Sequence, residues 1–257
     1  MKLELLASTI EDGQVVNKQH LSCFVIDDAV AIDAGCLSLA ANANQKKQIR
    51  DVVLSHAHID HIAGLPLFVD DLFSEIRRPV KIHAASEVID VLREHIFNWK
   101  VYPDFAELEN DFGPVLEYDC FEPGVPFDVA GLKVTAIPVN HKVPSFGFLL
   151  TKHDVTIALT GDTAEMIDFW PQVNRARGLS ALLIECAFPN KLNDLAVVSH
   201  HLTPERLGKE LEMFESGNCP IYAINLKPVY KETTAFEIAA LGISNLKILD
   251  VGRVYNF

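Results

Sequence analysis

The chain has 257 residues, of which 49% are hydrophobic and 22% are charged. This composition supplies enough apolar material for a globular domain with a sizeable core, so we expect residues 1–257 to form a single domain, with two fused half-domains as the alternative. The formal net charge of −13 argues against DNA or RNA as a partner, because nucleic-acid binding relies on clustered Lys and Arg side chains that release counterions.

Membrane attachment and disulfides are not expected either. No apolar stretch approaches the roughly 20 residues that span a bilayer. The N-terminal sequence MKLELLASTIEDG has acidic residues where a signal peptide needs an unbroken apolar region. The cysteines are odd in number, scattered and without a C-x-x-C pair, which predicts reduced, buried thiols in a cytoplasmic protein. They are Cys23, Cys36, Cys120, Cys186 and Cys219.

Short apolar runs that are typical of β-strands recur along the whole chain. In chain order they are KLELLAS, HLSCFVI, AVAID, DVVLSH, VKIHA, LKVTAIPV, FGFLLT, VTIALTGD, ALLIEC, PIYAIN and LKILDVG. Two tight hairpin turns are predicted, one over residues 129–132 and one over residues 152–154.

Helical patterns lie between several of these strands. Ser86 is the predicted cap of SEVIDVLREHIF, and Thr203 followed by Pro204 opens PERLGKELEMF. A third helix is predicted in TAEMIDFWPQV, with Pro171 limiting its length. The pattern as a whole indicates a layered α/β protein with two sheets and outer helices.

The segment VVLSHAHIDHIAGLP, residues 52–66, concentrates ligand-type side chains after an apolar strand. Alternate residues of an extended segment share a face, so His56 and His58 are expected to bind one cation together. Asp60 and His61 follow where the loop turns into a helix predicted to begin near Ile62, a change of direction that aims both at a second cation. Gly64 lets the backbone pass close to the site.

Imidazole and carboxylate donors without thiolates suit zinc, with manganese or iron as alternatives. Two adjacent ions need more than four donors, and three later residues qualify because each follows an apolar strand or precedes a helix: His141, Asp162 and His201. Taken singly, each has another interpretation, as a loop residue, a helix cap and a helix-flanking residue respectively. Together they supply the missing donors.

This pattern resembles the metallo-β-lactamase superfamily, in which H-x-H-x-D-H, a distant His, a Gly-Asp pair and a late His line a dinuclear site between two sheets. The resemblance runs from about Asp33 to His201 and implies a four-layer αββα sandwich. It implies that one metal is held by His56, His58 and His141, that the other is held by Asp60, His61 and His201, and that Asp162 bridges them. His200 is the alternative to His201, which we favour because Leu202 and Thr203 follow it.

Within the superfamily, the sequence resembles the phosphodiesterase branch, through Gly161-Asp162-Thr163 and the segment His141 to Ser145. IECAFPN, HIFNWKVYPDF and HLTPERL are similar to segments of the class II cyclic-nucleotide phosphodiesterases. Ribonuclease Z, in the same branch, usually carries a His where this chain has Ile184. Two features depart from the family: Ile59 replaces its usual leucine, and the sequence after Gly64 does not continue into its later serine-containing signature.

The resemblance implies hydrolysis of 3′,5′-cyclic nucleotides, with cAMP preferred and cGMP left open, to 5′-monophosphates. A water shared by two cations loses a proton near neutral pH and attacks phosphorus. Asp60 would orient this nucleophile, and His201 would assist the leaving oxygen. The expected protein is a hydrolase with a small-molecule substrate, and homodimerisation is a further expectation from the family.

Four further residues are candidates for supporting roles. Asn98 and Trp99 are expected to contact the purine, unless they belong to a helix end that packs into the core. Ser145 is expected to contact the phosphate, unless it hydrogen-bonds backbone groups at a strand end. Glu185 lies in an apolar strand and is interpreted as the partner of a ligating histidine, with a buried paired carboxylate as the alternative.

Two other functions remain open at this point. One is a ribonuclease Z-like tRNA 3′-processing endonuclease or another phosphodiesterase. The other is a non-catalytic metal-binding or sensing protein on the same scaffold, which a complete set of donors disfavours.

Overall fold

Every apolar run predicted as a strand forms one in the computed structural model, which describes residues 1–257. The strands are β1 Lys2–Leu5, β2 Ile10–Glu11, β3 Gln14–Val15, β4 Phe24–Ile26, β5 Val30–Ile32, β6 Asp51–Val53, β7 Val80–Ala84, β8 Glu109–Asn110, β9 Gly113–Pro114, β10 Leu116–Cys120, β11 Phe127–Val129, β12 Leu132–Pro138, β13 Phe146–Lys152, β14 Val155–Leu159, β15 Leu179–Glu185, β16 Ile221–Ile224, β17 Leu246–Ile248 and β18 Val254–Asn256.

Nine α-helices accompany these strands. They are α1 Leu37–Ala40, α2 Ala43–Gln48, α3 Ile59–Ile62, α4 Leu65–Leu72, α5 Ser86–Val91, α6 Phe169–Arg175, α7 Asn193–Ser199, α8 Pro204–Leu211 and α9 Lys231–Ala240. Short 3₁₀ turns cover Phe73–Glu75, Phe105–Glu107, Asn190–Leu192 and Pro228–Tyr230, and a π-helical turn covers Leu92–Ile96.

The chain divides into two compact units. Unit 1 comprises residues 1–16, 21–122 and 251–256; unit 2 comprises residues 17–20, 123–250 and 257. Each contains one seven-stranded sheet. The single-domain organisation expected from the length stays a prediction.

The sheet of unit 1 has the order β10-β7-β6-β5-β4-β1-β18. Its strands β5, β6, β7 and β10 run parallel, and β4, β1 and β18 pair antiparallel. β5 and β6 are buried throughout, which explains why they read as continuous β-branched and aliphatic runs rather than as alternating ones. The carboxyl ends of these parallel strands meet at one edge of the sheet.

The sheet of unit 2 has the order β11-β12-β13-β14-β15-β16-β17. The first four strands form an antiparallel meander, and β14 to β17 run parallel. Both predicted hairpin turns are confirmed: Val129 pairs with Leu132, and Lys152 pairs with Val155. The turn residues Ala130, Gly131 and His153 take positive φ, as such tight turns require.

One helix of unit 2 packs its apolar residues against this sheet. Phe169, Trp170 and Val173 of α6 share a buried cluster with Leu182 of β15 and Ala223 of β16. Trp170 donates its indole N–H to the buried carboxylate of Glu210 at 2.8 Å, so its polar atom is satisfied inside the core.

Several helix boundaries differ from the prediction. Ser86 is not the cap of α5: Ala85 precedes the helix, and the Ser86 hydroxyl bonds the Glu87 carboxylate at 3.0 Å. Pro171 lies inside α6 as its third residue instead of ending it, because N–H groups in a first turn have no intrahelical acceptor to lose. α8 does open at Thr203-Pro204 as predicted, and it ends at Leu211.

The cysteine prediction is correct in most respects. All five thiols are free, and four of them are buried, whereas Cys120 is exposed at the end of β10. Burial raises the pKa of Cys186, which keeps this thiol protonated and weakly reactive.

Candidate metal centre

Three imidazoles cluster in the connection that follows β6 in unit 1. The ring centroid of His56 lies 4.7 Å from that of His58 and 4.1 Å from that of His61. His56 and His61 are almost completely buried. The helix that carries His61 begins at Ile59, not near Ile62 as predicted, so Asp60 and His61 both lie within α3.

A single carboxylate orients two of these histidines. His61 Nδ1 donates to Asp33 Oδ2 at 2.7 Å. The Ser55 hydroxyl donates to the same carboxylate at 2.9 Å and lies 3.0 Å from His56 Nδ1, from which it accepts. Both rings therefore carry their proton on Nδ1, and a cation would be bound by Nε2. This arrangement is typical of histidines that ligate metals.

Asp60 lies beside the candidate ligand atom of His61, with its Oδ2 atom 4.0 Å from His61 Nε2. Its backbone is tightly held, because its carbonyl accepts from the Ser22 N–H at 2.8 Å and a Cβ on Gly35 would lie 1.9 Å from that oxygen. Gly64 does permit a close backbone approach, as predicted, to the Ala34 carbonyl.

The later donors meet in unit 2. One ligand atom from each of His141, Asp162 and His201 lies within 4.8 Å of the other two. His141 follows β12, Asp162 follows β14, and His201 lies between α7 and α8. Residues up to 60 positions apart in sequence thus reach one small volume, because they occupy loops at the ends of strands and helices.

Each of these three donors also has an orienting partner. His141 Nδ1 donates to the His200 carbonyl at 3.0 Å. Asp162 Oδ1 accepts from the Asn225 amide at 2.8 Å. His201 Nδ1 contacts the Glu185 carboxylate, whose second oxygen accepts from the Leu202 N–H at 2.8 Å. Nε2 of both histidines is again the atom suited to a cation.

The Glu185 carboxylate and the His201 imidazole form a buried hydrogen-bonded pair. Burial raises the pKa of Glu185. Burial alone lowers the pKa of His201, but the charge and hydrogen bond of Glu185 outweigh it and raise that pKa overall. Glu185 thus accepts a hydrogen bond from His201 Nδ1, which is the kind of contact that the sequence predicts for this carboxylate.

His200 has a different environment from its neighbour. It ends α7 in the left-handed conformation with φ 55°, and its ring donates from Nδ1 to Asn140 Oδ1 at 2.8 Å. Its carbonyl holds His141, whereas the ring is not among the groups with metal-binding spacing.

The predicted substrate-contact residues have local structural partners. The side-chain Oδ1 atom of Asn98 accepts from the backbone N–H groups of Lys100 and Val101 at 3.0 and 2.8 Å. Trp99 is largely exposed and donates its indole N–H to Glu107 at 2.8 Å. The buried Ser145 hydroxyl donates to the Val143 carbonyl at 2.9 Å, which is the alternative interpretation given above. Their contact with a substrate stays a prediction.

The candidate donors were predicted from the sequence, but most of the residues that orient them were not. Asp33, Ser55, Asn225 and the His200 carbonyl were not assigned. Asp33 and Asn225 do carry a common signal: each directly follows a buried parallel strand and takes positive φ, which only Asn, Asp and Gly adopt readily.

The donor set fits a divalent metal. Imidazole Nε2 atoms and carboxylate oxygens, each oriented through its other polar atom, are the ligands of zinc in hydrolytic sites, whereas no thiolate takes part. No helix combines the length and apolar character needed to cross a bilayer; the longest, α9, has 10 residues.

Two mixed sheets together with oriented histidine and carboxylate donors are typical of α/β proteins that bind divalent metals. A sequence model of the β-lactamase superfamily domain matches residues 29–217. The chain therefore belongs to the β-lactamase superfamily.

Solved structures of two other proteins have the same fold as this chain. The metallo-β-lactamase fold protein YhfI of Bacillus subtilis matches with a TM-score of 0.75 and 17% identity, over 99% of this chain and 98% of that one. Unliganded yeast PDE1 matches with a TM-score of 0.77 and 16% identity, over 98% of each chain. The metallo-β-lactamase fold predicted from the sequence is thereby confirmed.

A sequence relative from Aliivibrio fischeri is named 3′,5′-cyclic-nucleotide phosphodiesterase. It is 30% identical over 190 residues, which cover 67% of this chain and 56% of the relative. The chain spans 50 to 60% of the length of the curated relatives that it matches under this name.

Proposed function

We propose that this protein is a metal-dependent phosphodiesterase that hydrolyses 3′,5′-cyclic nucleotides, with cAMP preferred, to 5′-monophosphates. The observation that carries the proposal is the set of Nδ1 contacts on four histidines, which direct Nε2 toward a cation. The name of the relative from Aliivibrio fischeri supports the reaction class.

We assign two divalent cations, zinc in the first place, to the donors implied by the superfamily pattern. His56, His58 and His141 would hold one cation, Asp60, His61 and His201 the other, and Asp162 would bridge both. When bound, such a pair activates water near neutral pH and neutralises charge that grows on a phosphoryl group.

The protein's own residues would perform the remaining tasks. Asp60 is the group proposed to orient the attacking water. Attack in line with the 3′-oxygen breaks its bond to phosphorus and leaves the phosphate on the 5′-carbon. His201 is proposed to assist the leaving oxygen, with its imidazole held by Glu185. Asn98, Trp99 and Ser145 are proposed substrate contacts.

The experiment is phosphorus NMR of the zinc-loaded protein with 3′,5′-cAMP. We expect the cAMP signal to be replaced by that of 5′-AMP, and His58→Ala to abolish the conversion. His153→Asn is the matched control, because His153 occupies an exposed hairpin turn with φ 53° that Asn also adopts.

Other outcomes would contradict the proposal. A protein that carries two zinc ions per chain and leaves cAMP intact is not a cAMP phosphodiesterase. Conversion of cGMP alone would reassign the substrate. Cleavage of a tRNA precursor without turnover of any cyclic nucleotide would indicate a processing endonuclease instead.

A further inference from the structure

A cationic cavity lies at the edge of the unit 1 sheet opposite to the histidines. Arg50 directly precedes β6, and Arg78 comes two residues before the parallel neighbour β7. Their side chains thus belong to the amino ends of these strands, whereas His56 follows the carboxyl end of β6. Six extended residues span about 20 Å, so the two edges present separate surfaces.

The cavity has a volume of about 570 Å³, within the range of small-molecule sites. Four cationic side chains line it, namely those of Lys47, Arg50, Arg77 and Arg78, together with one carboxylate, that of Glu75. This concentration of positive charge occurs in a chain whose net charge is −13.

Most of these cations have no carboxylate partner in the protein. The nearly buried Arg50 donates Nη1 to the carbonyls of Lys46 and Ile49 at 2.9 and 2.5 Å, which satisfies one nitrogen with neutral acceptors. The Arg77 guanidinium lies 4.3 Å from the centroid of the Phe112 ring. Arg78 alone forms an ion pair, with Asp51 at 2.9 Å.

The positive charges in this cavity repel one another, which affects the pKa of Arg50. Burial lowers the pKa of Arg50 and the charge of Arg78 lowers it further, whereas the charge of Glu75 opposes both effects without cancelling them. An anion bound between them would relieve this repulsion and would accept hydrogen bonds from guanidinium groups, whose planar geometry matches a phosphate.

The cavity also offers an apolar surface. Phe112 is 48% exposed and contacts Arg77 through one face. Phosphate-binding cations beside an accessible aromatic ring suit a ligand that has both a phosphate and a flat or apolar part.

We propose that this cavity is a second ligand site, which binds a phosphorylated small molecule of mononucleotide size. The phosphate would contact Arg50, Arg78 and Lys47, and the remaining part would lie against Phe112. The site is separate from the proposed catalytic one and does not depend on its substrate.

Calorimetric titration of the zinc-loaded protein with AMP tests this proposal. We expect the wild-type protein to bind AMP at the cavity, whether or not AMP also binds at the metal centre. Lys47→Gln combined with Arg77→Gln should remove the binding at the cavity or weaken it at least tenfold. Arg93→Gln combined with Lys133→Gln is the matched control, since it removes the same charge at two exposed positions that do not line the cavity and leaves any binding at the metal centre unchanged.

A second variant keeps the test independent of the charge change. Phe112→Ala should weaken AMP binding to the cavity but leave the weaker binding of inorganic phosphate unchanged. Unfolding temperatures without ligand check that each variant is folded. Identical isotherms for both double variants would overturn the proposal. So would equal affinity for adenosine and AMP, or preference for a single-stranded ribo-oligonucleotide over AMP.

Discussion

The two units hold their candidate metal donors by the same kind of contact but with different distributions along the chain. Unit 1 places four donors between His56 and His61 in one connection after β6, whereas unit 2 gathers three donors between His141 and His201 from three separate loops. In both units Nε2 is the nitrogen of each oriented imidazole that is suited to a cation, because Nδ1 donates to an oxygen acceptor.

The difference lies in how the acceptors are shared. In unit 1 a single carboxylate orients two imidazoles. Asp33 accepts a hydrogen bond from His61 directly, and it holds the Ser55 hydroxyl that accepts from His56. In unit 2 each donor has its own partner: His141 the His200 carbonyl, Asp162 the Asn225 amide, and His201 Glu185. Substitution of Asp33 should therefore disturb two donors of unit 1 at once, whereas substitution of one orienting residue in unit 2 should disturb only one donor.

The largest effect is expected from Asp33→Asn. Asn tolerates the positive φ of 59° at this position, but its amide nitrogen would face either His61 Nδ1 or the Ser55 hydroxyl in place of an acceptor. Because two imidazoles lose their orientation, we expect zinc affinity to fall by about 100-fold, the upper end of the effects seen for partners of metal ligands. Competition with a chromogenic chelator measures this affinity.

Glu185→Gln is the corresponding change in unit 2, and it sharpens the comparison. It disturbs one imidazole, His201, so the expected loss of zinc affinity is about tenfold. Asp154→Asn, in an exposed turn, is the control for charge. Equal losses for Asp33→Asn and Glu185→Gln would contradict the idea that Asp33 acts on two histidines.

A carboxylate–histidine contact away from the candidate metal donors should affect stability and leave zinc binding unchanged. Asp51 accepts from His83 Nε2 at 3.0 Å and from Arg78 at 2.9 Å. Burial raises the pKa of Asp51, but these hydrogen bonds outweigh it and lower the pKa overall. A carboxyl whose pKa is lower in the folded state contributes stability above its unfolded pKa of about 3.9, and this stability is lost as the pH falls through the folded value.

Asp51→Asn should therefore reduce the free energy of unfolding by about 1–3 kcal/mol at pH 7, with the difference from wild type shrinking below about pH 4. Urea denaturation between pH 3 and pH 7 measures this dependence. Zinc content should not change. A pH-independent difference would mean that the ionised form of Asp51 contributes nothing.

The same contrast explains what could be predicted from the sequence. The four donors of unit 1 lie within six positions, 56–61, so their spacing alone indicates a metal site. The buried parallel strands are recognisable as apolar runs. His141, Asp162 and His201 are recognisable only as donor residues at strand ends or before a helix, and the superfamily resemblance is what groups them into one site. The strands β2, β3, β8 and β9, which form two separate two-stranded sheets, have two residues each, too few to carry a periodic signal.

The partners of the donors were beyond sequence reasoning for a physical reason. Ser55 and Asp33 are 22 positions apart, and Asn225 lies 63 positions from Asp162; strand pairing, not local pattern, brings them together. The His200 carbonyl carries no side-chain signal at all, although a histidine in the left-handed conformation at a helix end marks an unusual backbone position.

The smallest effect is expected at His200, the alternative to His201 as a ligand. His200→Gly keeps the left-handed backbone, which glycine adopts without strain, and keeps the carbonyl that accepts from His141. Only the ring contact with Asn140 is lost, so zinc content should be unchanged and kcat/KM for cAMP should change by less than about threefold. His201→Gln, by contrast, should lose a bound zinc ion. Metal analysis of both variants decides between them, since loss of zinc from His200→Gly would make the His200 imidazole the ligand and would leave His201 as the partner of Glu185 alone.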